Sequence, residues 1–307
     1  MNIQTILGPV DSADLGPTLM HEHVTCADWS MRMNFGTRFF DRDTVIEMAK
    51  KAFAPLQTLG VRTIVDGTAV NLGRDLDLIR DTARATGMNI IASAGFYYQE
   101  EAWLQERAEE EIYDLLYEDA AACGIMKCAV ERDGVTPLMR KLLRVTGRTA
   151  RERGIPVFCH TASKAGMGLP AMEVLGQYPP AHRIILGHTG DTNDRDYLRA
   201  AAETGCYLGF DRFGHCGRDN SVESLATNIL WLCEQGYRDR ILLSHDAAVY
   251  LAFWDSWEKS RSTITDFTVV HTQAVPALLA GGLTGVDIME ILKDNPRRFF
   301  EGVASCG

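Results

Sequence analysis

Short, unbroken apolar runs recur along this chain, separated by longer stretches in which apolar residues return every three or four positions. The runs fall near 18–23, 61–67, 89–96, 124–130, 155–160, 183–188, 206–211 and 240–245. Runs such as Arg-Ile-Ile-Leu-Gly and Arg-Ile-Leu-Leu-Ser are continuous rather than alternating, the pattern of strands covered on both sides. The intervening stretches predict amphipathic helices. In 43–58 the apolar set is Val45, Ile46, Met48, Ala49 and Phe53; in 137–153 it is Leu138, Leu142, Leu143 and Val145. Gly60, Gly87, Gly154 and Gly236 each stand after a helical pattern and before a strand, where a helix stop belongs.

Eight strands alternating with helices, plus a C-terminal helix, predict an α/β chain folded as a single (β/α)8 TIM barrel spanning 1–307 as one domain. A doubly wound sheet would need fewer strands and a glycine-rich phosphate turn, and no Gly-x-Gly-x-x-Gly or P-loop is present. The 307 residues are enough for a large core without covalent staples.

Composition narrows the partners. A net charge of −10 argues against nucleic acid, which calls for clustered positive charge. No apolar stretch approaches the roughly 20 residues that span a bilayer, and the N-terminus lacks the basic and apolar regions of a signal peptide. Eight cysteines without a Cys-x-x-Cys pair indicate buried thiols rather than a zinc ribbon, with Cys128, Cys159 and Cys206 inside apolar runs. Unpaired thiols point to a reducing compartment. The expectation is a cytoplasmic protein acting on a small molecule, with no nucleic-acid or membrane partner.

The chemistry gathers where the strands end. His21 and His23 close the first run, Lys127 lies in the fourth, His160 and His188 end the fifth and sixth, and Asp246 follows the eighth. In a strand His-x-His puts two imidazoles on one face. Alone that pair is a weak signal, since two polar residues bonded to nearby loops are the plainer reading. Further histidines and an aspartate at the same level of other strands reverse the preference, because sites of this fold gather at the C-terminal strand ends. Imidazole and carboxylate suit Zn, Mn, Co or Fe. His245, adjacent to Asp246, is expected to face the helices while Asp246 faces the barrel.

Lys127 has two readings. An ammonium among cation ligands is repelled, and burial beside positive neighbours lowers its pKa. The neutral amine can then take up CO2 as a carbamate able to bridge two ions. Alternatively the lysine extends to the rim and pairs with an acid such as Glu131.

Several segments resemble the phosphotriesterase family of the amidohydrolase superfamily. They are Gly8 to His23 with its Thr-Leu-Met-His-Glu-His ending, Gly-Phe-Tyr-Tyr (95–98), Gly-Ile-Met-Lys (124–127), His160-Thr161 and Gly-His-Thr-Gly-Asp-Thr (187–192). Phe-Asp-Arg-Phe-Gly (210–214), Ser-His-Asp (244–246) and Asp-Asn-Pro-Arg-Arg-Phe (294–299) complete the series, in order across nearly the whole chain. The resemblance implies a binuclear hydrolase with His21, His23 and Asp246 on the more buried ion, His160 and His188 on the more exposed one, and carboxylated Lys127 bridging both. It further implies a bridging hydroxide as nucleophile, Asp246 as proton acceptor, Asp191 as a supporting acid, and a homodimer. Arg212 and Tyr97 are similar to residues of the lactonase-like branch, which points to a lactone or related ester with phosphotriesters as a side activity. A buried Arg212–Asp191 pair without substrate contact is the competing reading of Arg212.

The loops after the seventh and eighth strands match no subgroup of known substrate. Tyr250, Phe253, Trp254 and Trp257 in 247–263 suit either an apolar acyl pocket or packing on the rim. Lys164 and Arg218, on loops at the same mouth, suit an anionic group or plain solvation. Amides and formyl groups remain open as substrates. A mononuclear deaminase would want an acid soon after His160, where Thr-Ala-Ser-Lys-Ala-Gly has none. A barrel that binds metal without catalysis is the reading from another class.

Overall fold

The computed structural model describes residues 1–216, 220–253 and 256–303, apart from the side chain of Trp257. An antiparallel hairpin, β1 (Asn2–Thr5) and β2 (Gly8–Asp11), opens the chain. The expected strands follow as β3 (Thr18–Cys26), β4 (Thr63–Asp66), β5 (Asn89–Gly95), β6 (Ile125–Val130), β7 (Val157–Thr161), β8 (Ile184–Gly187), β9 (Tyr207–Phe210) and β10 (Ile241–Leu243). A further strand, β11 (Ala247–Leu251), lies in what the sequence presents as loop.

The larger sheet has nine strands in the order β10-β9-β8-β7-β6-β5-β4-β3-β11, with every neighbouring pair parallel. The eighth barrel position is thus shared: β10 pairs with β9, the chain breaks at Ser244–Asp246, and β11 pairs with β3. The hydrogen bond from Asp246 N to His21 O, 3.0 Å, spans the break and closes the (β/α)8 barrel.

Alternation along the strands sorts the core. Met20, Val65, Ile91, Ile125, Phe158, Ile185, Tyr207 and Leu242, one from each of β3 to β10, fill the interior. Ile3 and Leu15 from the N-terminal segment and Phe299 and Phe300 from the C-terminal helix join that cluster. Neighbouring strand residues such as Leu19, Ile64, Ile90, Cys128 and Leu208 face outward into the larger helix-covered core.

The helix Pro137–Arg153 shows how the outer layer is specified. Thr136 accepts from Met139 N as N-cap, Pro137 takes the first turn where no N–H is needed, and Gly154 ends the helix at φ 68°. Its apolar stripe buries Leu138, Leu142, Leu143 and Val145, as the spacing predicts. Truncating a buried leucine of this kind costs about 2–5 kcal/mol. No described helix is long and apolar enough to cross a membrane, and the described cysteines are all free.

Candidate metal centre

Three local devices turn the predicted ligands inward. In β3 the register shifts between Leu19 and Glu22, so Met20 fills the interior and His21 still reaches the mouth. In β6 plain alternation from Ile125 brings Lys127 inward. At the end of β8 alternation alone would send His188 outward with Ile184 and Leu186. A left-handed backbone, φ 60°, turns it back into the barrel. Asp246 at the strand break also has positive φ, 53°. β4 contributes no side chain at this level: a Cβ on Gly67 would lie 2.4 Å from His21 Cδ2 and 3.3 Å from Lys127 Nζ.

The expected ligand set converges. Lys127 Nζ is 2.8 Å from His21 Nε2, His23 Nε2 is 3.2 Å from Asp246 Oδ1, and His188 Nε2 is 2.7 Å from His160 Nδ1. All of these groups except partly exposed Asp246 are buried. The opposite ring nitrogens are engaged from outside. His21 Nδ1 bonds Asp211 Oδ2 at 2.9 Å, His188 Nδ1 bonds Asp211 Oδ1 at 3.1 Å, His23 Nδ1 bonds Thr68 Oγ1 at 2.8 Å, and His160 Nε2 bonds Glu131 Oε1 at 2.9 Å. Partners of this kind would fix the tautomer once an ion displaces the inward protons, presenting the inward nitrogens as lone-pair donors.

His21, His23 and Asp246 form one donor group that could hold an ion, and His21, His188 and Asp211 another. In the second group Asp211 meets the outer nitrogens, so its carboxylate supports the imidazoles from behind rather than facing the centre.

Electrostatics agree with a cation site. Burial lowers Lys127 to about 8, against the pull of Asp246 and Asp211. Burial, then Lys127, lowers His21 to about 3. His160 and His188 are also lowered, chiefly by burial. Burial pushes Asp246 up, but His21, His188 and Arg212 together hold it well below the carboxylate range. Burial pushes His23 down, but Cys26 and Asp246 outweigh it and raise it to about 10. His21, His160 and His188 are therefore neutral and Asp246 ionised near pH 7, the forms that bind metal, whereas His23 must release a proton to do so.

Arg212 joins two acids: its Nε is 3.0 Å from Asp246 Oδ2 and its Nη1 2.5 Å from Asp191 Oδ2. The Arg212–Asp191 pair is therefore real, and Arg212 also lines the cavity with the ligands. Burial raises the Asp191 carboxyl in spite of that pair. Tyr97 Oη lies 3.4 Å from His160 Nδ1, and its hydroxyl is held well above the usual range by burial and by Asp246.

The cavity is about 290 Å³, with Leu72, Tyr98, Ala248 and Leu251 as its apolar side. His245 faces away from it toward Glu22, as alternation requires. Glu131 pairs with His160 and not with Lys127. Tyr250 departs from the pocket expectation: it is fully buried, packs edge-on to Phe40 and donates its hydroxyl to Phe39 O. Phe253 does pack on the apolar cluster beneath the rim. Lys164 is exposed and not among the cavity-lining residues. Arg218, Trp254 and the side chain of Trp257 lie outside the described residues.

Sequence reading passed over Asp211, Thr68 and His215. His215 lines the cavity and donates from Nε2 to Asp246 O at 2.9 Å. Asp211 had a legible signal: counting in twos from inward Tyr207 reaches Gly209 and then Asp211.

Known proteins resemble this chain over nearly its whole length. The model of the phosphotriesterase family matches residues 1–300. A phosphotriesterase homology protein of Mycobacterium tuberculosis is 31% identical, the match covering 97% of each chain. An aryldialkylphosphatase of Saccharolobus solfataricus is 28% identical over 95% of this chain and 96% of its own. An N-acetyltaurine hydrolase of Rattus norvegicus is 25% identical over 97% of both. The structure of the phosphotriesterase from Mycobacterium tuberculosis superposes with a TM-score of 0.90 at 31% identity, covering 98% of each chain. Agreement of sequence and backbone over nearly the whole length goes beyond a shared barrel, and this chain belongs to the phosphotriesterase family of hydrolases.

Proposed function

We propose that this protein hydrolyses a lactone or related carboxylic ester, using two divalent ions (Zn, Mn, Co or Fe) held by His21, His23, Lys127, His160, His188 and Asp246. Lys127 fits the part of a carbamate bridge: it is buried, its amine is biased toward the neutral form, and it abuts His21 Nε2 at 2.8 Å. The ions supply a water-derived nucleophile at neutral pH and polarise the carbonyl.

The observation that carries the reading is Arg212 between Asp246 and Asp191, with the Tyr97 hydroxyl in the same cavity. Asp246, held ionised, accepts the proton released on attack at Oδ2 and returns it to the leaving alkoxide. Arg212 steadies that oxygen, and Asp191 fixes the guanidinium from the other side. Tyr97 donates its hydroxyl to the carbonyl oxygen as negative charge develops there. Leu72, Tyr98 and Leu251 receive the apolar part of the substrate and keep bulk water from it.

A second reading is amide hydrolysis, favoured by similarity to an N-acetyltaurine hydrolase along the full chain; a phosphotriester side activity is favoured by similarity to an aryldialkylphosphatase. The test is a kcat/KM comparison of lactones, aryl esters, N-acyl amines and dialkyl aryl phosphates on protein reconstituted with Mn, Zn or Co. Lactones are expected to lead. An amide or phosphotriester ahead by about tenfold, some 1.4 kcal/mol of transition-state binding, overturns the assignment.

A further inference from the structure

The two ligand motifs interlock through their middle residues. In His21-Glu22-His23 and Ser244-His245-Asp246 the outer members face the metal centre or its support, while Glu22 and His245 face the opposite side of the wall. Both are fully buried there. Glu22 Oε1 accepts from Ser244 Oγ at 2.8 Å, from His245 N at 3.0 Å and from His245 Nδ1 at 2.6 Å. Its Oε2 accepts from Ala247 N at 3.1 Å. Ser244 Oγ in turn accepts from His21 N at 2.8 Å.

These contacts lie where the sheet ladder is interrupted. β10 ends at Leu243 and β11 begins at Ala247, so the backbone between them must find other partners. One carboxylate meets the N–H groups on both sides of Asp246. The tautomer of His245 is set as well, since its Nε2 accepts from Val270 N at 3.0 Å and its Nδ1 must donate to Glu22. Val270 begins a π-helical turn, Val270–Ala274, so the break is braced from the helical layer too.

We infer that Glu22 and His245 are positioning residues for the metal site, holding Asp246 and His21 at ligand distance from behind the barrel wall. The inference rests on reading Asp246 and His21 as ligands, and not on the identity of the substrate. Without the Glu22 carboxylate, the Ser244–Ala247 segment loses its anchor while the β10 and β11 ladders remain. The loss then falls on metal affinity before it falls on the fold.

The experiment measures Zn affinity of metal-free protein by chelator competition, with the visible spectrum of the Co form as a second readout. Glu22→Gln and His245→Phe are expected to weaken binding about 10–100-fold, the range for losing such an outer partner, and to alter the Co spectrum. His245→Asn, whose amide can replace the Nδ1 donor, is expected to stay near wild type. Leu198→Ala, in the outer core and fully buried, is the control for general destabilisation; it should lower the melting temperature and leave affinity alone. If Glu22→Gln fails to fold, the two His245 variants decide. Unchanged affinity in the folded Glu22→Gln and His245→Phe variants overturns the inference, as does an equal loss in Leu198→Ala. A well-metallated wild type inactive on lactones would instead overturn the substrate assignment alone.

Discussion

Asp211 and His21 meet at 2.9 Å through Oδ2 and Nδ1, and the other oxygen of the same carboxylate holds His188 by both its ring and its backbone N–H. One buried side chain therefore orients an imidazole in each of the two proposed ion positions. Asp211→Asn cannot accept from both rings in the same way. Metal retained after desalting, measured by elemental analysis, should fall, with affinity lower by about 10–100-fold. Full retention of both equivalents would show that Asp211 is dispensable.

Lys127→Ala removes the amine that stands against His21. Activity should fall to background, and short carboxylates such as acetate or propionate should restore part of it by occupying the vacated position. Restoration by amines instead of carboxylates would refute the carbamate.

Arg212→Lys keeps the charge and loses the fork that spans Asp246 and Asp191. Each charge-assisted hydrogen bond is worth about 1.5–3 kcal/mol, so kcat/KM for a lactone should drop roughly 10–100-fold. Tyr97→Phe should lower kcat more than it raises KM, because its bond strengthens only as the oxyanion forms. Steady-state kinetics on one lactone checks both.

Gly67→Ala tests whether the empty place at the end of β4 matters. The added methyl carbon would stand 2.4 Å from His21 Cδ2, so the ring must leave its position. Zn affinity should be lost while the circular dichroism of the metal-free protein stays close to wild type.

The metal-free protein should be labile to acid. His21 is held at about 3 in the fold against an ordinary 6.5. Between those values the unfolded chain binds a proton that the folded chain does not, so stability falls as pH drops from 6.5 toward 3. Denaturant midpoints in chelator across that window should show the decline, and His21→Asn should make it shallower, the remainder coming from His160 and His188, which burial also lowers. A midpoint rising toward acid would contradict the assignment.

Much of this is legible in the sequence. The runs from 18–23 to 240–245 each became a strand, because a barrel strand is apolar toward both its interior and its helices. The ligands were visible because barrel geometry brings strand ends together, however far apart they lie in the chain. What escaped was local. Ala247–Leu251 looks like loop, yet it pairs with β3 because the chain kinks at Asp246 instead of leaving the sheet. Glu22 and His245 each sit beside a ligand, and their bond across 223 residues depends on that same kink. His188 defied alternation, since no residue type announces a left-handed histidine. Tyr250, which suited either a substrate pocket or packing on the rim, follows the β11 pleat into the core.

The barrel floor has a consequence for traffic. Ile3, Leu15, Phe299 and Phe300 stopper the end opposite the histidines, so substrate cannot pass through and out below. Product must leave by the doorway the next molecule uses to enter, and a slow departure at that single gate would throttle turnover however fast the bond is broken.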